Sequence, residues 1–131
     1  MKPDSKKILI VDDDQDIRSA LRKILESSGY FVAEAASGKE GFEKADSELP
    51  DLIIIDVIME TFSEGFNLIQ RLVTNERTKN IPRILLTALG IQQDLDMIFP
   101  AEIGTMSILQ KPVEKDVLLK VVSSAFASAC K

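Results

Sequence analysis

Apolar and polar positions alternate between two rhythms along this chain. Short apolar runs at Ile8–Val11, Tyr30–Ala35, Leu52–Ile55, Ile84–Leu86 and Ser107–Leu109 are separated by stretches in which apolar residues recur every three or four positions. The runs have strand length, and those at Ile8, Leu52 and Ile84 are continuously apolar, as strands covered on both faces are. Between them, Ile17, Ala20, Leu21, Ile24 and Leu25 mark one face of a first helix that stops at Ser27-Ser28-Gly29. Ser37-Gly38-Lys39-Glu40 has capping-box spacing and opens a second helix carrying Phe42, Ala45 and Leu49, ended by Pro50; Gly41 lowers its helix propensity. Phe66, Ile69, Leu72 and Val73 define a third helix, and Ile81-Pro82 forces the chain extended before the fourth strand. Asp94 to Phe99 can form only a short, kinked or irregular fourth helix, because Pro100 interrupts it. Val117, Leu118, Val121, Val122, Ala125 and Ala129 make the stripe of a last helix, with Val113 placed to staple onto Leu118 across a Glu114 cap.

Strands alternating with helices predict an α/β fold: a five-stranded parallel sheet with helices on both faces. A length of 131 residues suits one domain, 1–131, with a core from about 6 to 128. With 45% hydrophobic and 28% charged residues the chain can bury such a core, which argues against disorder. The apolar run after Lys6-Lys7 meets Asp12-Asp13-Asp14 within four residues, too soon for a secretion signal, and no later run has membrane-spanning length, so no membrane partner is expected. Charge excludes more: 21 acidic against 16 basic residues give −5, and no basic run exceeds Lys6-Lys7, so direct nucleic-acid binding is not expected. There is no His, which removes imidazole ligands, Ser-His and Cys-His catalysis, and phosphohistidine on this chain. The one Cys, Cys130, permits no internal disulfide, in keeping with a cytoplasmic location.

In a parallel sheet the residues just past the C-terminal strand ends gather on one edge, where ligands bind. Asp12 and Asp13 follow the first strand, Asp56 the third, Thr87 the fourth and Lys111 the fifth. Singly, each has a plain structural reading. The aspartate triplet can be a solvated turn with Asp14 capping the first helix, Asp56 a strand terminator, Thr87 a hydroxyl bonded to backbone, and Lys111-Pro112 a surface turn. Together, and in this order, they are harder to explain by turn chemistry. Carboxylates without His or Cys are hard oxygen ligands suited to Mg²⁺. A carboxylate nucleophile, a hydroxyl, a Lys and a metal are the parts needed to take up a phosphoryl group.

Ile8-Leu9-Ile10-Val11-Asp12-Asp13-Asp14, Pro50-Asp51-Leu52-Ile53-Ile54-Ile55-Asp56, Ile84-Leu85-Leu86-Thr87-Ala88 and Lys111-Pro112 resemble the response-regulator receiver domain of two-component signalling over nearly the whole chain. The resemblance implies a flavodoxin-like strand order 2-1-3-4-5. It implies that Asp56 accepts phosphate from the phosphohistidine of a sensor histidine kinase or phosphotransfer protein, and that a downstream effector protein or domain reads the change. It further implies Mg²⁺ bound directly by Asp13 and Asp56, through water by Asp12, and by the backbone carbonyl of Ile58. Thr87 and Lys111 would contact the phosphoryl oxygens, and small Ala88 would let the backbone approach. Such a protein is a phosphoacceptor with self-directed phosphotransfer and autodephosphorylation rather than an enzyme in the usual sense.

The chain also departs from the family pattern. Met59-Glu60 stands where Met-Pro is usual, the loop to Gly65 is one residue longer, and Ile108 replaces the usual Tyr or Phe three residues before the Lys. These departures, together with Pro100 in a fourth-helix segment about two residues longer than usual, keep open a degenerate receiver that binds a partner without phosphorylation. A small Mg²⁺-dependent phosphatase of the haloacid-dehalogenase type, with an Asp-x-Asp at Asp12-Asp13-Asp14, is the remaining alternative; it lacks the expected Thr or Val after the second Asp, and the chain is short for that fold.

Overall fold

The structure, a computed structural model, describes residues 6–56, 62–87, 106–110 and 114–129. Five strands, β1 (Lys7–Val11), β2 (Phe31–Ala35), β3 (Leu52–Asp56), β4 (Arg83–Thr87) and β5 (Met106–Gln110), form one parallel sheet in the order β2-β1-β3-β4-β5. Four helices are described: α1 (Gln15–Ser27), α2 (Gly38–Glu48), α3 (Phe62–Thr74) and the last helix, α4 (Lys115–Ala129). The predicted fold class and strand order are those observed. The Asp94–Phe99 helix, Pro100 and Val113, and the side chains of Phe66, Ile108 and Ala129, lie outside the described residues.

The continuous apolar runs are explained by the layering. Successive side chains of a strand point to opposite faces. Leu9, Val11, Ile53, Ile55 and Leu85 therefore meet Ala45 of α2 and Leu68, Ile69 and Leu72 of α3 in one core. Ile8, Ile10, Leu52, Ile54, Ile84 and Leu86 meet Leu21 and Leu25 of α1 and Leu118 and Val122 of α4 in the other. The edge strand β2 is only partly covered, and Phe31 is exposed at its start.

The helix boundaries follow local chemistry. Asp14 caps α1, its Oδ1 accepting the Asp16 and Ile17 amides at 2.9 and 3.4 Å. Ser37 caps α2 by accepting the Glu40 amide at 3.2 Å, and Glu40 reaches back to the Ala36 amide at 2.8 Å, one residue beyond the usual partner of a capping box. The Leu118 amide donates to the Glu114 carbonyl at 2.9 Å, placing Glu114 at the start of α4 as expected.

Three apolar positions are corrected. Ala20 lies on the exposed side of α1. Leu49 does not extend the buried face of α2: the helix ends at Glu48, and Leu49 turns left-handed at φ 48° and is exposed. Val117 is exposed in the first turn of α4, while Phe126, absent from the predicted stripe, packs 5.6 Å from the Tyr30 ring. Gly41, which weakens α2 by propensity, is buried where α2 crosses β1. A Cβ there would sit 2.8 Å from one methyl of Val11 and 3.0 Å from the other, so only glycine permits the approach.

Candidate functional site: an acidic cluster at the C-terminal strand ends

The strand order places β1 and β3 side by side, with Val11 level with Ile55. The chain leaves β1 directly into Asp12 and Asp13, and Asp56 is the last residue of β3, so both strands release carboxylates at the same edge. One carboxylate oxygen from each of Asp12, Asp13 and Asp56 lies within 4.8 Å of the other two. Asp12 and Asp56 are buried, whereas Asp13 faces solvent. Sequence reasoning had singled out these three residues, and the fold brings them together.

The backbone around Asp12 is tightly held. Its amide donates to the Ala35 carbonyl at the end of β2 at 3.1 Å, and its Oδ1 accepts the Asp14 amide at 2.9 Å. Its carbonyl accepts the Arg18 Nη1 of α1 at 2.5 Å. Arg18 also donates through Nε to Glu34 Oε1 at 3.0 Å, and Arg22 Nη1 reaches Glu34 Oε2 at 2.6 Å. The two guanidiniums, Arg22 foremost, hold the Glu34 carboxyl below its usual value against the opposing effect of burial. Arg18 and Glu34 were not among the sequence candidates. Glu34 as the one charged residue of an otherwise apolar strand was the available signal, but its partner lies 16 residues away.

Thr87 ends β4, level with Gln110 of β5, which places both on the acidic edge of the sheet; the Thr87 side chain lies outside the described set. Ile58, Ala88 and Lys111 lie outside the described residues. The donor set suits a hard divalent cation: three carboxylate oxygens converge from two strands, with no nitrogen or sulfur among them. Two ionised carboxylates 4.8 Å apart repel by about 3 kcal/mol at an effective dielectric of about 20, and a cation between them reverses that sign.

A family model for the response regulator receiver domain matches residues 8–123. The chain belongs to the response-regulator receiver family. Receiver domains of this family accept phosphoryl groups in two-component signalling, typically bind Mg²⁺, and interact with histidine kinases and effector domains. The chain is 32% identical over 121 residues to protein PilH of Pseudomonas aeruginosa, covering 92% of this chain and 98% of that one. It is 38% identical over 111 residues to the transcriptional regulatory protein AfsQ1 of Streptomyces coelicolor, covering 85% of this chain but only 47% of AfsQ1. Against several such regulators the chain thus spans about half of the relative's length. The chemotaxis response regulator CheY4 of Vibrio cholerae superposes with a TM-score of 0.81 at 30% identity, covering 92% of this chain and 98% of CheY4. A putative response regulator from Chloroflexus aurantiacus gives 0.84 at 34%, covering 94% and 98%. No helix among the described residues is long and apolar enough to cross a membrane.

Proposed function

We propose that this receiver accepts a phosphoryl group on Asp56 and that Asp12, Asp13 and Asp56, with the Ile58 carbonyl, hold the Mg²⁺ the transfer requires. The convergence of three carboxylate oxygens within 4.8 Å at the ends of adjacent strands carries this reading. Mg²⁺, when bound, offsets the charge of the carboxylates and of the phosphoryl oxygens. An Asp56 Oδ forms the new bond to phosphorus as the donor's P–N bond to a histidine, or P–O bond to acetate, breaks and its electron pair leaves with the donor. The donor histidine belongs to a sensor kinase or phosphotransfer protein, since this chain contains none. The Thr87 hydroxyl and Lys111 ammonium are assigned to the phosphoryl oxygens, with small Ala88 leaving room beside them. Switching then alters a surface read by an effector protein or domain. With a net charge of −5 the receiver itself is assigned no direct nucleic-acid contact, and with a single cysteine it is assigned a reducing, cytoplasmic setting.

Intact-mass measurement after incubation with acetyl phosphate and Mg²⁺ tests the proposal. The parent protein gains one phosphoryl group, and Asp56→Asn gains none. Labelling of Asp56→Asn at full stoichiometry removes the assignment of the acceptor. An unlabelled parent supports the phosphorylation-independent receiver instead, and continued turnover of a phosphomonoester supports the phosphatase.

A further inference from the structure

The Asp12–Asp13 peptide is tied to β2 at both ends of the Asp12 residue. The Asp12 amide bonds directly to the Ala35 carbonyl. The Asp12 carbonyl is held through Arg18 to the side chain of Glu34, the residue immediately before Ala35. Both Arg18 bonds come from one rigid, planar guanidinium, so the carbonyl and the Glu34 carboxylate are fixed relative to each other. Because the peptide is planar, fixing that carbonyl also fixes the amide nitrogen of Asp13. The side chains concerned are largely withdrawn from water, at 14% exposure for Arg18 and 23% for Glu34. Glu34 is anchored in turn by Arg22, and its backbone carbonyl accepts the Lys44 Nζ.

Charge alone argues against this arrangement beside a cation site, since a guanidinium repels a divalent ion. Its placement there is explained by geometry. We infer that Arg18 is a positioning residue for the divalent-cation site: clamped by Glu34, it holds the Asp12–Asp13 peptide so that both carboxylates face the ion together with Asp56. The inference rests on the Mg²⁺ site proposed above and adds to it a residue that does not touch the ion. Outer partners of this kind typically change metal affinity by about 10- to 100-fold when removed.

Charge and positioning predict opposite signs, so the experiment separates them. Mg²⁺ dissociation constants are measured by titration calorimetry for the parent, Arg18→Ala, Arg18→Lys and Arg22→Ala. Positioning predicts that both Arg18 variants bind Mg²⁺ about tenfold more weakly, because lysine keeps the charge but lacks the fork that spans Glu34 and the Asp12 carbonyl. Arg22→Ala, which removes the other partner of Glu34 without touching Asp12, stays within about twofold of the parent. At saturating Mg²⁺, acetyl phosphate labels the Arg18 variants to the parental extent, since the defect lies in holding the ion. Unchanged or tighter Mg²⁺ binding in the Arg18 variants overturns the inference, and so does equal weakening by Arg22→Ala. If Arg18→Ala does not fold, Arg18→Lys decides alone. A parent that binds no Mg²⁺ overturns the site reading itself and this inference with it, whereas a parent that binds it while the Arg18 variants bind equally well overturns the inference only.

Discussion

The two ends of strands β1 and β3 carry the same kind of residue and treat it in opposite ways. At the N-terminal edge Asp51 precedes β3, and its Oδ2 accepts the Lys7 amide at 2.9 Å while its own amide donates to the Lys7 carbonyl at 2.8 Å. Lys7 pairs with Glu48, and the Lys6 ammonium lies 5.9 Å from the centre of the Phe126 ring. Each charge there sits beside an opposite or accommodating partner. At the C-terminal edge Asp12, Asp13 and Asp56 sit beside one another, two of them buried. Asp51, bonded to the Lys7 backbone through both its side chain and its amide, ties β1 to β3 and serves the fold. Three carboxylate oxygens converging on one edge form the donor set of a hard divalent cation, and receivers of this family typically bind Mg²⁺.

The largest effect that can break this contrast lies at the acidic end. Mg²⁺ at one hundred times its dissociation constant should stabilise the parent by about 2.7 kcal/mol, and Asp13→Ala should lose that gain. Thermal unfolding with and without millimolar Mg²⁺ reads both. A parent whose melting temperature ignores saturating Mg²⁺ would place the acidic end with the ordinary surface.

Next in size is the packing beneath that end. Gly41→Ala drives a methyl to 2.8 Å from Val11, the buried β-branched residue that leads into Asp12 and has little rotamer freedom. A loss of about 1–2 kcal/mol is expected by denaturant unfolding, although alanine is the better helix former. A gain in stability would show that α2 can retreat from β1 at no cost.

The opposite edge gives a smaller and purely structural effect. Asp51→Ala should cost about 1 kcal/mol through the lost bond to the Lys7 amide and leave Mg²⁺ affinity unaltered. A change in Mg²⁺ affinity would mean that the two ends are coupled.

The smallest effect is the acid limb of stability. Arg22 and then Arg18 lower the Glu34 carboxyl, and the Ala36 amide, ahead of Lys44, lowers that of Glu40. A carboxyl with a depressed folded value contributes stability that is fully present above its ordinary value of 4.5 and is lost as the pH falls through the lowered one. With both groups partly exposed the contribution is below about 1 kcal/mol each. Glu34→Gln and Glu40→Gln should each lower the melting temperature slightly at neutral pH and, by the same amount, flatten its decline below pH 4.5. A decline as steep as the parent's would assign the acid limb to other carboxyls.

Much of this contrast was legible before any coordinates, for physical reasons that also mark where legibility ends. β1, β3 and β4 announce themselves because burial on both faces demands unbroken apolar runs, and the aspartates at the ends of β1 and β3 stand out against them. Asp14 and Ser37 were legible because capping is a local interaction. Leu49 and Val117 misled because periodicity reads residue type, whereas the left-handed turn and the first turn of α4 place those side chains in solvent. The reason for Gly41 lies in Val11, 30 positions away, and the hold on Asp12 runs from Arg18 to Glu34 across a helix and a strand. Neither leaves a local pattern.

The contrast between the two ends is tested most directly by a Mg²⁺ titration followed through backbone amide NMR shifts. The account predicts saturable shifts centred on residues 12–14 and 56, with Lys6, Lys7 and Asp51 unmoved. Shifts centred on the Lys7–Asp51 edge, or no saturable shift at the aspartates, would contradict it.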